Sequence, residues 1–256
     1  MRMKTLAIIT AALLAPLFTT VARAEGSLTF KTGYDYTSGT YGSGSRTEIT
    51  SIPFIANYET GDWTFKATLP YIRITGADNV IAGVGAVRRT STVTRTDSGL
   101  GDLTAAATYA LLADPKSQFG VDFTGKVKFA TADSNKGLGT GENDYWLLID
   151  PYKKLGDVTY FGGLGYGMLG SSATLQLKNV VSANAGLSYK LDQRASAGAM
   201  FDYRSKSTDA GADQRELTAF YSRKLGDAYK LQAYALKGFA DGSPDWGAGL
   251  TVGYSY

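Results

Sequence analysis

The chain is 256 residues long and carries 26 Lys and Arg against 23 Asp and Glu, with neither cysteine nor histidine. Missing cysteine excludes a disulfide scaffold, and without cysteine or histidine tetrahedral zinc lacks its usual ligands and hydrolysis its commonest general base. Arg2, Lys4 and Arg23 fall in the first 24 positions, which hold no acid, so the remainder is formally neutral and offers no basic footprint for a nucleic acid.

Arg2 and Lys4 precede an apolar run from Leu6 to Phe18, and the small-residue pattern Ala22-Arg23-Ala24 follows. This predicts a secretory signal peptide over residues 1–24, cleaved after Ala24. Pro16 interrupts the apolar run, which falls short of the roughly 20 residues a spanning helix needs. Residues 25–256 suit one domain by length. No later apolar run is long enough for a membrane helix.

Beyond the leader the sequence alternates with period two, the sign of strands with two unlike faces. Trp63, Phe65, Ala67, Leu69 and Tyr71 form one apolar face. Phe119, Val121, Phe123, Gly125, Val127 and Phe129 form another, with Asp122, Lys126 and Lys128 opposite. The pattern continues from Val158 to Met168, from Leu175 to Tyr189 and from Ala195 to Tyr203. It is plainest at the end, where Trp246, Ala248, Leu250, Val252, Tyr254 and Tyr256 alternate with small and polar residues. That segment has the length of a tilted strand crossing hydrocarbon, with aromatics at both interfaces.

Short polar turns punctuate these segments at Glu59-Thr60-Gly61-Asp62 and Asp114-Pro115-Lys116. A repeat extends the series: Lys154-Leu155-Gly156-Asp157, Lys190-Leu191-Asp192-Gln193 and Lys224-Leu225-Gly226-Asp227, spaced 36 and then 34 residues apart. One such period holds two strands, a short turn and a longer loop. The longer connections are Ser38–Ser45, Gly76–Ser98, Ala132–Asn143, Lys206–Asp213 and Asp241–Asp245. The asymmetry predicts an all-β fold, a transmembrane antiparallel up-and-down β-barrel of about 12 strands, with short periplasmic turns and longer extracellular loops. Regrouping a hairpin would give about 10 or 14. An even count puts both termini in the periplasm, and lipid, which offers no hydrogen bonds to a sheet edge, requires closure. The expected location is the bacterial outer membrane.

Ser98-Gly99-Leu100-Gly101-Asp102-Leu103, the strand after it, and Lys136-Gly137-Leu138-Gly139-Thr140-Gly141 before Tyr145 resemble the outer-membrane transporter family associated with the meta pathway of phenol degradation. The resemblance covers residues 26–256. It departs from the family at Ala130-Thr131-Ala132-Asp133, where members often carry a Pro-Thr-Gly-Asp-like turn. It implies passage of small organic molecules, aromatic compounds among them. Resemblance to outer-membrane barrels in general implies that Tyr256, with Tyr254 and Val252, is the signal read by the barrel-assembly machinery.

The expected function is an outer-membrane channel or transporter for passive or facilitated diffusion of small organic solutes. A structural or surface-interaction barrel with a blocked lumen is the alternative. A barrel of this size should have a narrow pore. Strand parity places Lys66, Asp122, Lys126, Lys128, Asp150, Arg194, Asp202, Arg204 and Glu216 along the lumen as candidate solute contacts, together with Lys31, Asp35, Asp102, Lys178 and Lys230. The mixed signs suit structural pairing across the lumen as well as dipolar contacts to a solute, and both readings stay open.

Two readings also stay open for residues 76–98. A solvated excursion is the favoured one; the other tucks the apolar Val80, Ile81, Val84 and Val87 into the mouth as a constriction, while Arg88, Arg89 and Arg95 meet lipopolysaccharide phosphates. Gly165-Tyr166-Gly167-Met168-Leu169-Gly170 matches a dinucleotide fingerprint by letters only, because it sits within an alternating strand. No enzyme, cofactor or metal is expected, loop acids offering at most a weak calcium site. Expected partners are outer-membrane lipid and lipopolysaccharide, the assembly machinery and small solutes.

Overall fold

The computed structural model describes residues 26–87 and 93–256. The expected leader, residues 1–24, and Arg88 and Arg89 therefore lie outside the described residues.

The described residues form fifteen strands: β1 (Ser27–Gly39), β2 (Thr47–Thr60), β3 (Trp63–Ala77), β4 (Val80–Ile81), β5 (Gly85–Ala86), β6 (Thr94–Leu100), β7 (Leu103–Asp114), β8 (Phe119–Phe129), β9 (Asp144–Leu155), β10 (Val158–Met168), β11 (Val180–Lys190), β12 (Ala195–Arg204), β13 (Gln214–Leu225), β14 (Tyr229–Gly238) and β15 (Trp246–Ser255). Each long strand pairs antiparallel with its sequence neighbours, and β1 pairs with β15 from Thr29 opposite Ser255 to Ser38 opposite Trp246. β6 and β7 share one place in the wall: β6 lies against the Tyr71–Ala77 half of β3 and β7 against its Trp63–Thr68 half. The result is a closed barrel of 12 strands, as expected.

Closure follows from the side-chain pattern. Along β9, Tyr145, Leu147 and Ile149 are exposed while Asp144, Trp146, Leu148, Asp150 and Tyr152 are buried. One face thus meets lipid and the other fills the lumen. The outer face carries aromatics toward both rims. Trp63 stacks on Phe65 and packs on Tyr109 at the rim of short turns. Tyr36 packs on Trp246 toward the rim of longer loops.

Three irregularities depart from the expected strand pattern. The Ser98–Leu103 motif is a kink within one wall strand: Gly101 leaves the ladder but still donates its amide to the Pro70 carbonyl at 2.8 Å. β3 and β6 extend further than the pattern suggests, so the intervening loop spans only 78–93. Residues 169–179 form a loop, although Leu175 and Leu177 continue the parity of β11; Ser171 and Ser172 bind the Leu177 and Leu175 amides and hold this segment out of the ladder. Lys178 is accordingly an exposed loop residue paired with Asp209, outside the lumen.

Candidate functional site: a charged lumen under an inserted hairpin

The described part of the loop between β3 and β6, residues 78–87, turns inward. Its β4–β5 hairpin buries Val80 and Ala86 against Tyr41, Ile72, Ile74, Ala77 and Leu138. Removal of this apolar surface from water favours the tucked position over a solvated excursion. Polar bonds fix it: Ala82 donates to the Gly137 carbonyl at 3.2 Å and Ala86 to the Tyr41 carbonyl at 3.1 Å. From β12, Arg204 Nη1 donates to the Gly83 carbonyl at 2.8 Å and Nη2 to that of Val84 at 3.2 Å. Burial pushes the Tyr41 hydroxyl, in the β1–β2 loop, above its ordinary titration range.

The two motifs that carried the family resemblance meet beneath this hairpin. A Cβ on Gly99 would lie 3.0 Å from Leu138 Cδ1, and one on Gly139 would lie 2.5 Å from Asp102 Oδ2. Only a residue without Cβ permits that approach at Gly139. Lys128 Nζ sits between Asp102 at 3.2 Å and Asp144 at 2.9 Å and donates to Thr140 Oγ1 at 2.8 Å. Asp102 also accepts the Ala132 amide, and Asp144 the Gly170 amide. Lys128 therefore ties two loops to the wall.

Lower in the barrel the charges form bands. Asp122 stands directly opposite Asp150 on β8 and β9, and Asp202 opposite both Asn184 and Glu216 on β11 to β13. Gly163 lies opposite Asn184, and a Cβ there would approach Asp150 Oδ1 to 2.2 Å and Asn184 Nδ2 to 2.7 Å. These side chains converge across Gly163, so the acids and Asn184 make one oblique row. A basic group lies on the adjoining wall: Lys66 on β3 and Lys126 on β8 flank Ala106 of β7, and Lys31 lies nearby on β1. Asp35 accepts a 2.8 Å hydrogen bond from Tyr234 Oη.

Seven lumen expectations, Lys66, Asp122, Lys126, Asp150, Asp202, Arg204 and Glu216, thus occupy inward positions in these two bands or at the hairpin. Lys128 also faces inward, but within the loop network. Arg194 is a correction: it is exposed in the turn between β11 and β12, where its amide donates to Asp192. Arg95 is a second. It falls on the inward parity of β6, donates to the Asn135 carbonyl at 3.2 Å and lies 3.5 Å from Asp97, so its guanidinium is engaged by the chain itself on the inner side. Val252, Tyr254 and Tyr256 lie on the outer face, with Tyr256 edge-on to Tyr254 and Phe30.

Parity reasoning did not single out the apolar lumen patches. Phe220, Tyr234 and Leu236 pack with Phe161, and Trp146 and Leu148 with Val180. The even positions of β9 carried the signal, since Trp146 and Leu148 alternate there with Asp144 and Asp150. A groove of about 510 Å³ across β15, β1, β2, β3 and β7 is lined mainly by outward residues such as Phe30, Phe54, Leu69 and Val252. It belongs to the lipid face.

The fold is that of outer-membrane β-barrels. It is similar to an outer membrane channel from Pseudomonas putida F1, 13% identical, with 92% of this chain and 97% of that one covered at a TM-score of 0.70. It is also similar to the translocator domain of the autotransporter NalP from Neisseria meningitidis, 15% identical over 91% of this chain and 89% of that one, TM-score 0.55. The NanC porin is 12% identical over 89% and 98%, TM-score 0.53. No protein-family model matches the sequence, and no curated protein matches it.

Proposed function

We propose that the chain is an outer-membrane channel for passive or facilitated diffusion of small organic solutes, aromatic compounds of the kind the meta-pathway resemblance implies among them. The supporting observation is the row in which Asp122 stands opposite Asp150 and Asp202 opposite Glu216. Like charges placed directly opposite on neighbouring strands destabilise a sheet. A lumen serving only as scaffold would interleave these acids with the lysines of the adjoining wall; sorted charge suits a path that acts on what passes through it. The apolar patches of the lumen suit solutes with a hydrocarbon part. The longer loops then face outside, and the short turns and both termini face the periplasm.

A second reading, a barrel with a blocked lumen, is favoured by the inserted β4–β5 hairpin. Planar-bilayer recordings and liposome uptake of sugars, organic acids and neutral aromatics separate the two. The channel reading expects small conductance from the mature chain and larger conductance after residues 79–86 are replaced by a short Gly-Ser linker. Silence and impermeability in both proteins would establish the blocked barrel.

A further inference from the structure

Among the described residues the basic group on the lumen wall has no carboxylate in contact with it, unlike Lys128, the other inward lysine of the same region of β8. Lys128 is held by Asp102 and Asp144. By contrast, Lys31, Lys66 and Lys126 form no ion pair with any carboxylate among the described residues; Lys126 has only the Trp146 ring, 4.7 Å from its Nζ. The nearest acids act at longer range, Glu59 on Lys31 and Asp144 on Lys126, and Asp144 is already committed to Lys128.

The three ammonium groups also lie together. Lys66 and Lys126 are separated by Ala106 alone, about 10 Å between backbones at two strand spacings, and a lysine side chain spans much of that gap. Lys31 lies diagonally across β2 from Lys66. Each repels the next, Lys31 acting on Lys66 and Lys66 on Lys126. Uncompensated cations held side by side are costly unless something negative joins them.

Two neutral groups complete the patch. Asn57 stands directly opposite Lys66 on β2, is 4% exposed, and its Oδ1 has no hydrogen-bond partner. Thr68, two residues along β3 from Lys66, has an unpartnered hydroxyl. Buried polar groups are ordinarily satisfied; among the described residues the Thr68 hydroxyl lacks a partner and can donate, whereas Asn57 Oδ1 lacks a donor, which only an N–H or O–H group supplies. An oxyanion supplies charge for the three ammonium groups and an acceptor for the Thr68 hydroxyl, and it leaves an ammonium proton of Lys66, directly opposite Asn57, for Asn57 Oδ1.

We propose that Lys31, Lys66 and Lys126, with Asn57 and Thr68, form a binding site for a small organic carboxylate within the lumen. This deepens the channel reading and rests on it for its role in passage, although binding itself does not require conduction. The acidic row on β8 to β13 repels the same ligand and keeps it on the lysine wall.

Trp146 offers a direct reporter, because Trp63 and Trp246, the other two tryptophans, are on the outer face. In a Trp63→Phe/Trp246→Phe background in detergent, benzoate and acetate should change the remaining emission saturably, while benzamide should not. Lys66→Gln and Lys126→Gln should each weaken benzoate binding about tenfold, the loss of one charge-assisted contact. Heat-dependent gel mobility verifies that each variant is a folded barrel, and Lys31→Gln replaces any that is not. In bilayers under a KCl gradient, the wild type should prefer chloride and the variants should lose that preference. Saturable quenching without conductance would keep the site and overturn the channel. Conductance with cation preference and no saturable response to either carboxylate would overturn the site and keep the channel. Binding left unchanged by the lysine substitutions would also overturn it.

Discussion

Lys66 and Lys128 look alike in the sequence: both fall on the inward parity of a membrane strand. Their surroundings separate them. Lys128 is pinned between Asp102 and Asp144 with all three side chains at most 15% exposed, and removing its charge leaves two buried carboxylates facing each other. Lys128→Met should therefore cost about 3–5 kcal/mol and loosen the loops anchored through Ala132 and Gly170. Lys66→Gln relieves repulsion from Lys31 and should leave stability unchanged or raised. Urea unfolding of the refolded barrel in micelles, followed by tryptophan emission, checks both. Parity could tell inward from outward; it could not tell paired from unpaired, because partners come from strands far apart in sequence, as Asp102 and Asp144 do. Arg194 failed for a local reason. Asp192 accepts the amides of Arg194 at 2.6 Å and Ala195 at 2.8 Å, which makes this segment a turn. The Arg194 amide, followed by that of Ala195, also holds the Asp192 carboxyl below its ordinary value of 3.8. A lowered folded-state value contributes stability present above the unfolded value and lost as pH falls through the folded one. NMR titration of Asp192 should show a midpoint below 3.8, with protection of the two amides disappearing over the same acid range.

At the scale of elements, the β4–β5 hairpin is the part of the β3–β6 loop that packs into the barrel. Its apolar residues were legible as a stretch that could tuck inward, but the anchor, Arg204, comes from β12, about 120 positions away in sequence. Arg204→Ala removes the bonds to the Gly83 and Val84 carbonyls while leaving the apolar cluster around Val80 intact. The hairpin should then stay folded against Ile74 and Leu138 but release its tip. Bilayer recordings should show larger or more frequently fluctuating conductance than wild type, with unfolding changed by no more than about 3 kcal/mol per lost bond from the charged donor. The loop at 169–179 escaped sequence reading for the opposite reason. Its leucines keep the parity of β11, and only the serine hydroxyls that capture the Leu175 and Leu177 amides turn it away from the sheet. Hydroxyl groups competing for backbone bonds leave no mark on a period-two pattern.

At the scale of the whole molecule, the barrel exists because its last strand finds its first. Alternation and the asymmetry of turns and loops made the strand number legible, and an even number let β15 meet β1 antiparallel. The register in which they meet was not legible, since neither strand carries a turn that fixes it. In the closed barrel Thr29 stands opposite Ser255 and their hydroxyls lie 2.8 Å apart. Beyond them the Tyr256 amide donates to the Leu28 carbonyl at 2.9 Å. Its ring meets Phe30 and Tyr254 edge-on, and Tyr254 in turn packs on Tyr229 of β14. Tyr256 thus bridges the two sides of the β1–β15 seam on the lipid face. Deleting it removes one seam hydrogen bond and one aromatic of the rim but leaves residues 1–24 and the other strand pairings untouched, so, if those residues act as the expected signal peptide, export should proceed while insertion fails. Fractionation of cells producing the deletion should show processed chain in the periplasm, with a reduced heat-modifiable fraction in the outer membrane. Tyr256→Phe keeps the ring and the amide and should assemble as wild type. Wild-type insertion of the deletion would show that closure, and recognition of the terminal strand, rest on residues before Tyr256.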